Sequence, residues 1–202
     1  NTSLFLDWTT QGGNGTNLTG GFTQNTGGVN AAVTYTDTGA GTSFTVSTGA
    51  QYVGSGEPFD PSSASALQGT GSGPTSTLSV NFSGVAGAGF QDEVSNVRFR
   101  LNDVDTGSWT DVITILAYDS AGNAVPVTIT ASGNDVVSGN TITSGPGNDT
   151  ANVAAGSVLV SIPGPVKRFE VVYSNSGTGG QVVTVTDVHF EAQPSDNDLV
   201  NA

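Results

Sequence analysis

The chain has 202 residues and carries 17 acidic against 4 basic side chains, a formal net charge of −13 at pH 7. So few Lys and Arg residues exclude a nucleic-acid binder and disfavour an anionic membrane surface, because both partners are held mainly by positive charge. No apolar run approaches the roughly 20 residues of a membrane-spanning helix, so we expect no membrane insertion. The absence of Cys beside strong acidity is typical of a secreted chain stabilised by cations, with a cytosolic protein as the alternative.

Apolar residues recur with a period of two in runs rich in Val, Ile, Thr and Phe, which indicates strands separated by turns. Because no helical pattern intervenes, we predict an all-β, antiparallel, jelly-roll-like β-sandwich with long irregular loops. Residues 1–192 should form this single domain, and residues 193–202 a polar flexible tail or linker of a longer protein. The ten predicted strands span residues 3–8, 31–36, 43–47, 77–82, 95–101, 111–118, 124–130, 157–162, 166–174 and 181–192.

Turn sequences at 38–41 and 119–123 predict two local hairpins. Alternation predicts core-facing side chains at 97, 99 and 101 on one strand and at 169, 171 and 173 on another. Residues 53–73 and 132–156 lack strand periodicity, so we expect long loops there that are either functional or disordered. The second contains a Gly- and Asp-rich cluster at 145–149, interpreted as a turn because a calcium β-roll needs tandem repeats.

The acidic loop, residues 102–111, concentrates charge between two predicted strands, with carboxylates at Asp103, Asp105 and Asp111. Like charges this close repel each other unless a cation neutralises them, and oxygen ligands without His or Cys favour calcium over magnesium. The loop is not an EF-hand, because Ser108 and Thr114 stand where Gly and Glu would be needed. We therefore predict a calcium site here, with a solvated acidic turn as the alternative.

Antiparallel topology predicts which other segments lie at the end of the sandwich that carries the acidic loop. The strand before Asn175 should run in the same direction as the strand before the acidic loop, so the Gly-rich loop after it should lie alongside. Pairing of the first strand with the last would add Asp7 and Trp8. Backbone N–H groups of a Gly-rich loop beside a cation form a plausible carboxylate cradle. For Trp109, ligand contact competes with packing in the core or the turn.

The chain resembles the calcium-dependent ligand-binding modules of giant bacterial RTX adhesins at residues 97–105, at Trp109 and Asp111, and in the hairpin at 119–123. The run 183–191 is similar to the last strand of the same sandwiches, and the likeness covers mainly 96–130 and 169–191. It is closest to their peptide-binding domains, which hold a peptide's free C-terminal carboxylate on a bound calcium. The resemblance implies Ca²⁺ as cofactor, type I secretion to the cell surface, and a monomeric module of a longer adhesive fibre active in biofilms.

The predicted function is therefore extracellular, calcium-dependent capture of peptide or protein C-termini on a target cell. The alternative is a carbohydrate-binding module of the same adhesin type that binds glycans on an aromatic platform of Trp8, Tyr52 or Trp109. Predicted calcium ligands are Asp103, Asp105, Asp111, Asp7 and Asp187. Predicted ligand contacts are Asn102, Asn175, Ser176, Gly177, Gly179 and Trp109.

An enzyme is not expected, because the sequence offers one imidazole and no motif that would pair it with a nucleophile. That imidazole, His189, alternates with Asp187 and Glu191 along one face of the last predicted strand. This face is interpreted as a solvated strand surface rather than a transition-metal site, which would more often include a second His.

Overall fold

The computed structural model describes residues 1–195. It confirms an all-β sandwich of two antiparallel sheets. The helical elements in this part of the chain are two short 3-10 turns, Trp8–Gln11 and Ala154–Gly156. No helix within residues 1–195 has the length and apolar character needed to cross a membrane.

Fifteen strands make up the two sheets, and several are longer or shorter than the sequence predicts. In chain order they are β1 (Thr2–Leu6), β2 (Phe22–Asn25), β3 (Val29–Asp37), β4 (Ser43–Ser47), β5 (Ala64–Gly69), β6 (Ser76–Gly84), β7 (Phe90–Asn102), β8 (Asp111–Tyr118), β9 (Thr128–Ala131), β10 (Val136–Ser138), β11 (Thr141–Thr143), β12 (Val158–Ile162), β13 (Arg168–Asn175), β14 (Gln181–Thr186) and β15 (Val188–Pro194).

The first sheet has the order β1-β15-β7-β14-β5-β4, and the second has the order β10-β11-β8-β13-β6-β3-β2. Strand β7 is central in the first sheet. Strands β15 and β14 both pair with one of its edges, and β12 pairs with the other edge. Strand β9 in turn pairs with β12. Strands β7 and β8 lie in different sheets, so the acidic loop between them crosses the end of the sandwich.

The core lies between the two sheets and contains the predicted inward-facing residues. Residues 97, 99 and 101 of β7 and 169, 171 and 173 of β13 are all fully buried, which confirms the predicted alternation. Phe99 of the first sheet stacks on Phe169 of the second, with ring centroids 5.0 Å apart. Trp8 is also fully buried, and its indole N–H donates to the Thr186 carbonyl at 2.9 Å. Trp8 is therefore unavailable as a glycan platform.

Three local predictions were wrong. The turn at 38–41 does not pair its flanking strands, because β3 lies in the second sheet and β4 in the first. The predicted loop 53–73 includes β5, and the predicted loop 132–156 includes β10 and β11. A turn sequence fixes only a change of direction, whereas the longer ladders β3–β6 and β4–β5 decide the partners of these strands.

The last predicted strand is divided at Asp187 into β14 and β15. At the break, the Arg100 N–H donates to the hydroxyl of Thr186 at 2.9 Å, so a side chain replaces a backbone partner. The final strand continues to Pro194, two residues into the segment predicted as a tail. Ser195 follows this strand, and its N–H donates to the Gly89 carbonyl at 2.8 Å. The remaining residues of that predicted tail, 196–202, lie outside the described residues.

Candidate functional site

The acidic loop is held in place by hydrogen bonds to its own carboxylates. Asp111 is fully buried and accepts from the Tyr173 hydroxyl at 2.6 Å and from the Asp105 N–H at 3.0 Å. Asp105 accepts from the Trp109 indole at 3.2 Å through one carboxylate oxygen. Asp103 adopts a φ of 61°, a left-handed conformation that Asp tolerates better than most residues. The loop therefore turns its three carboxylates toward one another.

The predicted loop 132–156 folds back onto the acidic loop and contributes two further acidic residues. The Asp149 N–H donates to Asp105 at 3.0 Å, and the Thr106 N–H donates to the Gly147 carbonyl at 3.0 Å. Asp135 accepts from the Gly145 N–H at 3.0 Å, and the adjacent Ser144 hydroxyl accepts from the Asp111 N–H at 2.9 Å, which brings Asp135 to the same loop. We call Asp103, Asp105, Asp111, Asp135 and Asp149 the carboxylate cluster. Sequence reasoning missed the last two, although the Gly- and Asp-rich run 145–149 marked the segment.

Burial and mutual repulsion raise the pKa values of Asp103, Asp105, Asp111 and Asp135. Burial, followed by the charges of Asp105 and Asp111, raises the pKa of Asp103 to about 8. Burial likewise raises the pKa of Asp111 to about 7 and that of Asp135 to about 6, and raises the pKa of Asp105. None of the four Lys and Arg side chains forms an ion pair with the cluster. The charge of the cluster is therefore not balanced by the protein.

Two carboxylate oxygens of the cluster are buried without a hydrogen-bond partner among the described residues, namely Oδ2 of Asp135 and Oδ2 of Asp149. Asp135 is only 7% exposed, and its other oxygen accepts from the Gly145 N–H at 3.0 Å. A buried oxygen without a donor is costly and calls for a proton, a water molecule or a cation. The donor set is all oxygen, which suits calcium. In their present rotamers, no three acidic, His or Cys side chains of residues 1–195 form a group ready to hold a metal ion.

Two predicted calcium ligands, Asp7 and Asp187, lie apart from the cluster and have other partners. Asp7 caps the 3-10 turn that follows it, accepting from the Thr9 N–H at 2.9 Å and the Ser63 hydroxyl at 2.9 Å. Asp187 accepts from the Asp60 N–H at 3.2 Å and lies 3.1 Å from the His189 ring. The pairing of β1 with β15 is as predicted, but it places both carboxylates beside the loop at 60–63.

The two predicted amide contacts are internal structural residues. Asn102 is buried and donates to Gln51 at 2.9 Å and to the Tyr52 carbonyl at 3.1 Å, which fixes the segment before β5 to the end of β7. Asn175 is buried as well, and its side chain donates to the Gly69 carbonyl at 2.8 Å. Neither amide faces solvent, so neither is available to a ligand.

The loop after β13 does lie beside the acidic loop, as the topology predicts. The Ser176 hydroxyl accepts from the Thr110 N–H at 2.9 Å, and a Cβ on Gly177 would stand 2.9 Å from the Cβ of Trp109. The N–H groups of Ser176 and Gly177 donate to the Thr110 carbonyl and to Asn175. Gly179 is exposed, and Trp109 is half-buried. The predicted Gly-rich loop is thus in the predicted place, but the N–H groups of Ser176 and Gly177 already donate hydrogen bonds within the protein.

No protein-family model matches the chain, and the search of curated proteins found no match. Solved structures with a similar fold include the K1 cleaved adhesin domain of Lys-gingipain from Porphyromonas gingivalis W83, at 12% identity and a TM-score of 0.43, covering 96% of this chain and 99% of that one. The C-terminal family 22 carbohydrate-binding module of Clostridium thermocellum Xyn10B matches at 10% identity and a TM-score of 0.38, over 80% and 86% of the two chains.

The enzymatically active domain of tailspike protein 4 from bacteriophage CBA120 matches at 13% identity and a TM-score of 0.36. The match covers 81% of this chain and 19% of the tailspike chain. These similarities concern the arrangement of strands and assign no activity.

Proposed function

We propose that the protein is a calcium-dependent binding module whose carboxylate cluster holds a calcium ion. The observation that carries the proposal is the pair of buried, unpartnered oxygens on Asp135 and Asp149, within a group of five carboxylates that no basic side chain neutralises. A cation would satisfy these oxygens and offset the repulsion that raises the pKa of Asp103.

The free oxygens in the cluster indicate which residues would hold the ion. Within residues 1–195 the Asp103 carboxylate accepts no hydrogen bond, and Asp135 and Asp149 each have an unused Oδ2, so these three are the proposed primary ligands. Asp105 and Asp111 accept hydrogen bonds on both oxygens and would mainly supply negative charge. Ion binding would require rotamer changes, which calcium tolerates because its coordination is irregular and takes six to eight oxygens.

The expected effect of the ion is to join segments that are far apart in the sequence. The acidic loop, the residue before β10 and the run 145–149 would share one cation, and folding would become coupled to metal binding. The resemblance to RTX adhesins supports an extracellular role for such a module, because calcium is abundant outside the cell. An adhesive, non-enzymatic role at the cell surface belongs to the same proposal.

Capture of a peptide's C-terminal carboxylate is the finer form of this proposal. Asp103 and Asp149 are the half-exposed members of the cluster, so a ligand would approach the ion from their side. Because the Ser176 and Gly177 N–H groups already have acceptors, the ion itself would have to supply most of the binding energy. Free and amidated forms of one peptide would then differ sharply in affinity.

Calorimetric titration of the EDTA-treated 202-residue chain with calcium tests the proposal directly. We expect saturable binding that Asp135→Asn weakens at least tenfold, about the effect of losing one charged ligand. Asp92→Asn is the matched control, because Asp92 is exposed near the opposite end of β7 and its replacement removes the same charge. Absence of calcium binding, or equal weakening by both variants, would contradict the proposal.

A further inference from the structure

A cleft of about 350 Å³ lies on the outer face of the first sheet, away from the carboxylate cluster. The strand register places its side chains side by side, since Ser3 pairs with Glu191 and His189 pairs with both Phe5 and Arg98. One rim comes from the segment before β5. Polar and charged lining residues are Ser3, Asn96, Arg98, His189 and Glu191, with Pro58 on the rim.

An aromatic surface borders this cleft. The Phe5 ring is 45% exposed and stacks on the His189 ring, with centroids 4.9 Å apart and an interplanar angle of 12°. Phe59, which is buried, contacts the same imidazole edge-on at 5.5 Å and keeps it from rotating. A fixed, flat, partly exposed ring beside hydrogen-bonding groups suits the apolar C–H face of a pyranose sugar.

Arg98 supplies the charge of the cleft. The chain has four basic side chains, and three of them have partners: Arg100 pairs with Glu57, Arg168 with Glu170, and Lys167 donates to a backbone carbonyl. Arg98 is exposed and makes neither an ion pair nor a side-chain hydrogen bond within residues 1–195. The chain has 17 acidic residues, and the Arg98 guanidinium, which is available to bind an anionic group, lies in the cleft.

Fixed polar groups complete the cleft. The Asn96 amide donates to Glu191 at 2.5 Å, and Asn96 has a φ of 50°, so its backbone is held in a left-handed conformation. The carboxylate of Glu191 remains able to accept a hydrogen bond from a hydroxyl group. Glu191 would repel the carboxylate of an acidic ligand. Such a carboxylate would therefore bind on the Arg98 side of the cleft, where two N–H groups of the guanidinium can hold it.

We propose that this cleft binds a uronic-acid-containing glycan. Arg98 would hold the carboxylate, the stacked Phe5 and His189 rings would support the sugar ring, and Glu191 with Asn96 would bind hydroxyl groups. The cleft shares no residue with the carboxylate cluster, so this proposal does not rest on the calcium ion. The ligand class and the binding surface both differ from those proposed for capture of a C-terminal carboxylate.

The test is an NMR titration of the isotope-labelled 202-residue chain, carried out both with and without calcium. The probes are trimers of galacturonate, mannuronate and glucuronate, neutral galactotriose, and a hexapeptide with a free C-terminus. We expect at least one uronate trimer to shift the amides of residues 3–5, 96–98 and 189–191. We expect Arg98→Gln and Phe5→Ala each to weaken this binding by at least about tenfold.

The matched control is Arg168→Gln, which removes an Arg from the second sheet and should leave binding unchanged. Thermal melts of all variants show that they remain folded. The proposal fails if no uronate trimer shifts these amides, if galactotriose binds as tightly, if Arg98→Gln binds like the unmodified protein, or if the peptide alone occupies the cleft. Calcium binding is detected at the amides near residues 103, 135 and 149, so failure of one proposal is distinguishable from failure of the other.

Discussion

Replacement of Glu57 by Ala tests how the segment before β5 is fastened to the sandwich. Arg100 donates through Nε and Nη2 to the two oxygens of Glu57 at 2.5 and 2.8 Å, and the side chains are only 6% and 15% exposed. The hydroxyls of Ser132 and Ser157 accept hydrogen bonds from the remaining guanidinium nitrogen, Nη1, so Arg100 cannot easily turn outward. Glu57→Ala would leave a buried charge without its partner, at a cost of about 3–5 kcal/mol.

For a domain of this size, that loss corresponds to a fall in Tm of roughly 6–20 °C. Urea denaturation at pH 7 followed by tryptophan fluorescence measures the loss of unfolding free energy. The pair with Arg100 lowers the pKa of Glu57, so its stabilising effect is present at neutral pH and is lost as the pH falls through the folded-state pKa. The difference between the variant and the unmodified protein should therefore shrink in acid.

Glu170→Ala is the control, because Glu170 pairs with Arg168 at 3.3 Å on the surface, where the Arg168 side chain is 40% exposed. Removal of a surface pair costs at most about 1 kcal/mol. If Glu57→Ala also costs less than about 1 kcal/mol, the buried ion pair does not fasten this segment in solution.

Three further predictions concern the loop end of the sandwich. Calcium at about 1,000 times its Kd should stabilise the fold by about 4 kcal/mol over the protein in EDTA, and equal melting temperatures in the two conditions would contradict the proposed ion. In EDTA, the free energy of unfolding should fall as the pH rises from about 4 toward 8. The reason is that the folded-state pKa values of Asp103 and Asp111 are raised to about 8 and about 7, so these groups must ionise in a buried site. Urea denaturation at a series of pH values measures this change, and a rise in stability instead would mean that the cluster is open to water. Gly177→Ala should displace Trp109 and shift its fluorescence, because the new Cβ would lie 2.9 Å from the Trp109 Cβ; an unchanged spectrum would show that the two loops do not pack as described.

The strands with clear alternation were predictable from the sequence. β4 and β8 have the predicted bounds: Phe and Val alternate with polar residues in β4, and β8 is an almost continuous run of apolar and β-branched residues. β5 was missed because ASALQG contains no β-branched residue, and its neighbours β4 and β14 impose the extended conformation. Short strands such as β10 and β11, of three residues each, carry too little pattern to be recognised.

The candidate site was only partly predictable, because its residues come from distant segments. Asp103, Asp105 and Asp111 stand in one run, and their charge marked the loop. Asp135 and Asp149 join them only through the folding of residues 132–156, which no local pattern encodes. Sequence topology correctly paired β1 with β15. It did not show that Asp7 and Asp187 lie apart from the cluster, with oxygens already occupied by neighbouring N–H and hydroxyl groups.

The pairing of β1 with β15 has a mechanical consequence. The strands are antiparallel, with Thr2 opposite Ala192 and Leu6 opposite Val188, and β1 is the edge strand. A force that pulls residues 2 and 192 apart loads this ladder from one end, so its hydrogen bonds break one after another rather than together. About six residues would peel away, adding roughly 20 Å of length. The load would then reach Trp8, whose fully buried ring and bond to Thr186 oppose further extension. Under tension the domain should thus yield first as a short extensible segment, before the two sheets separate.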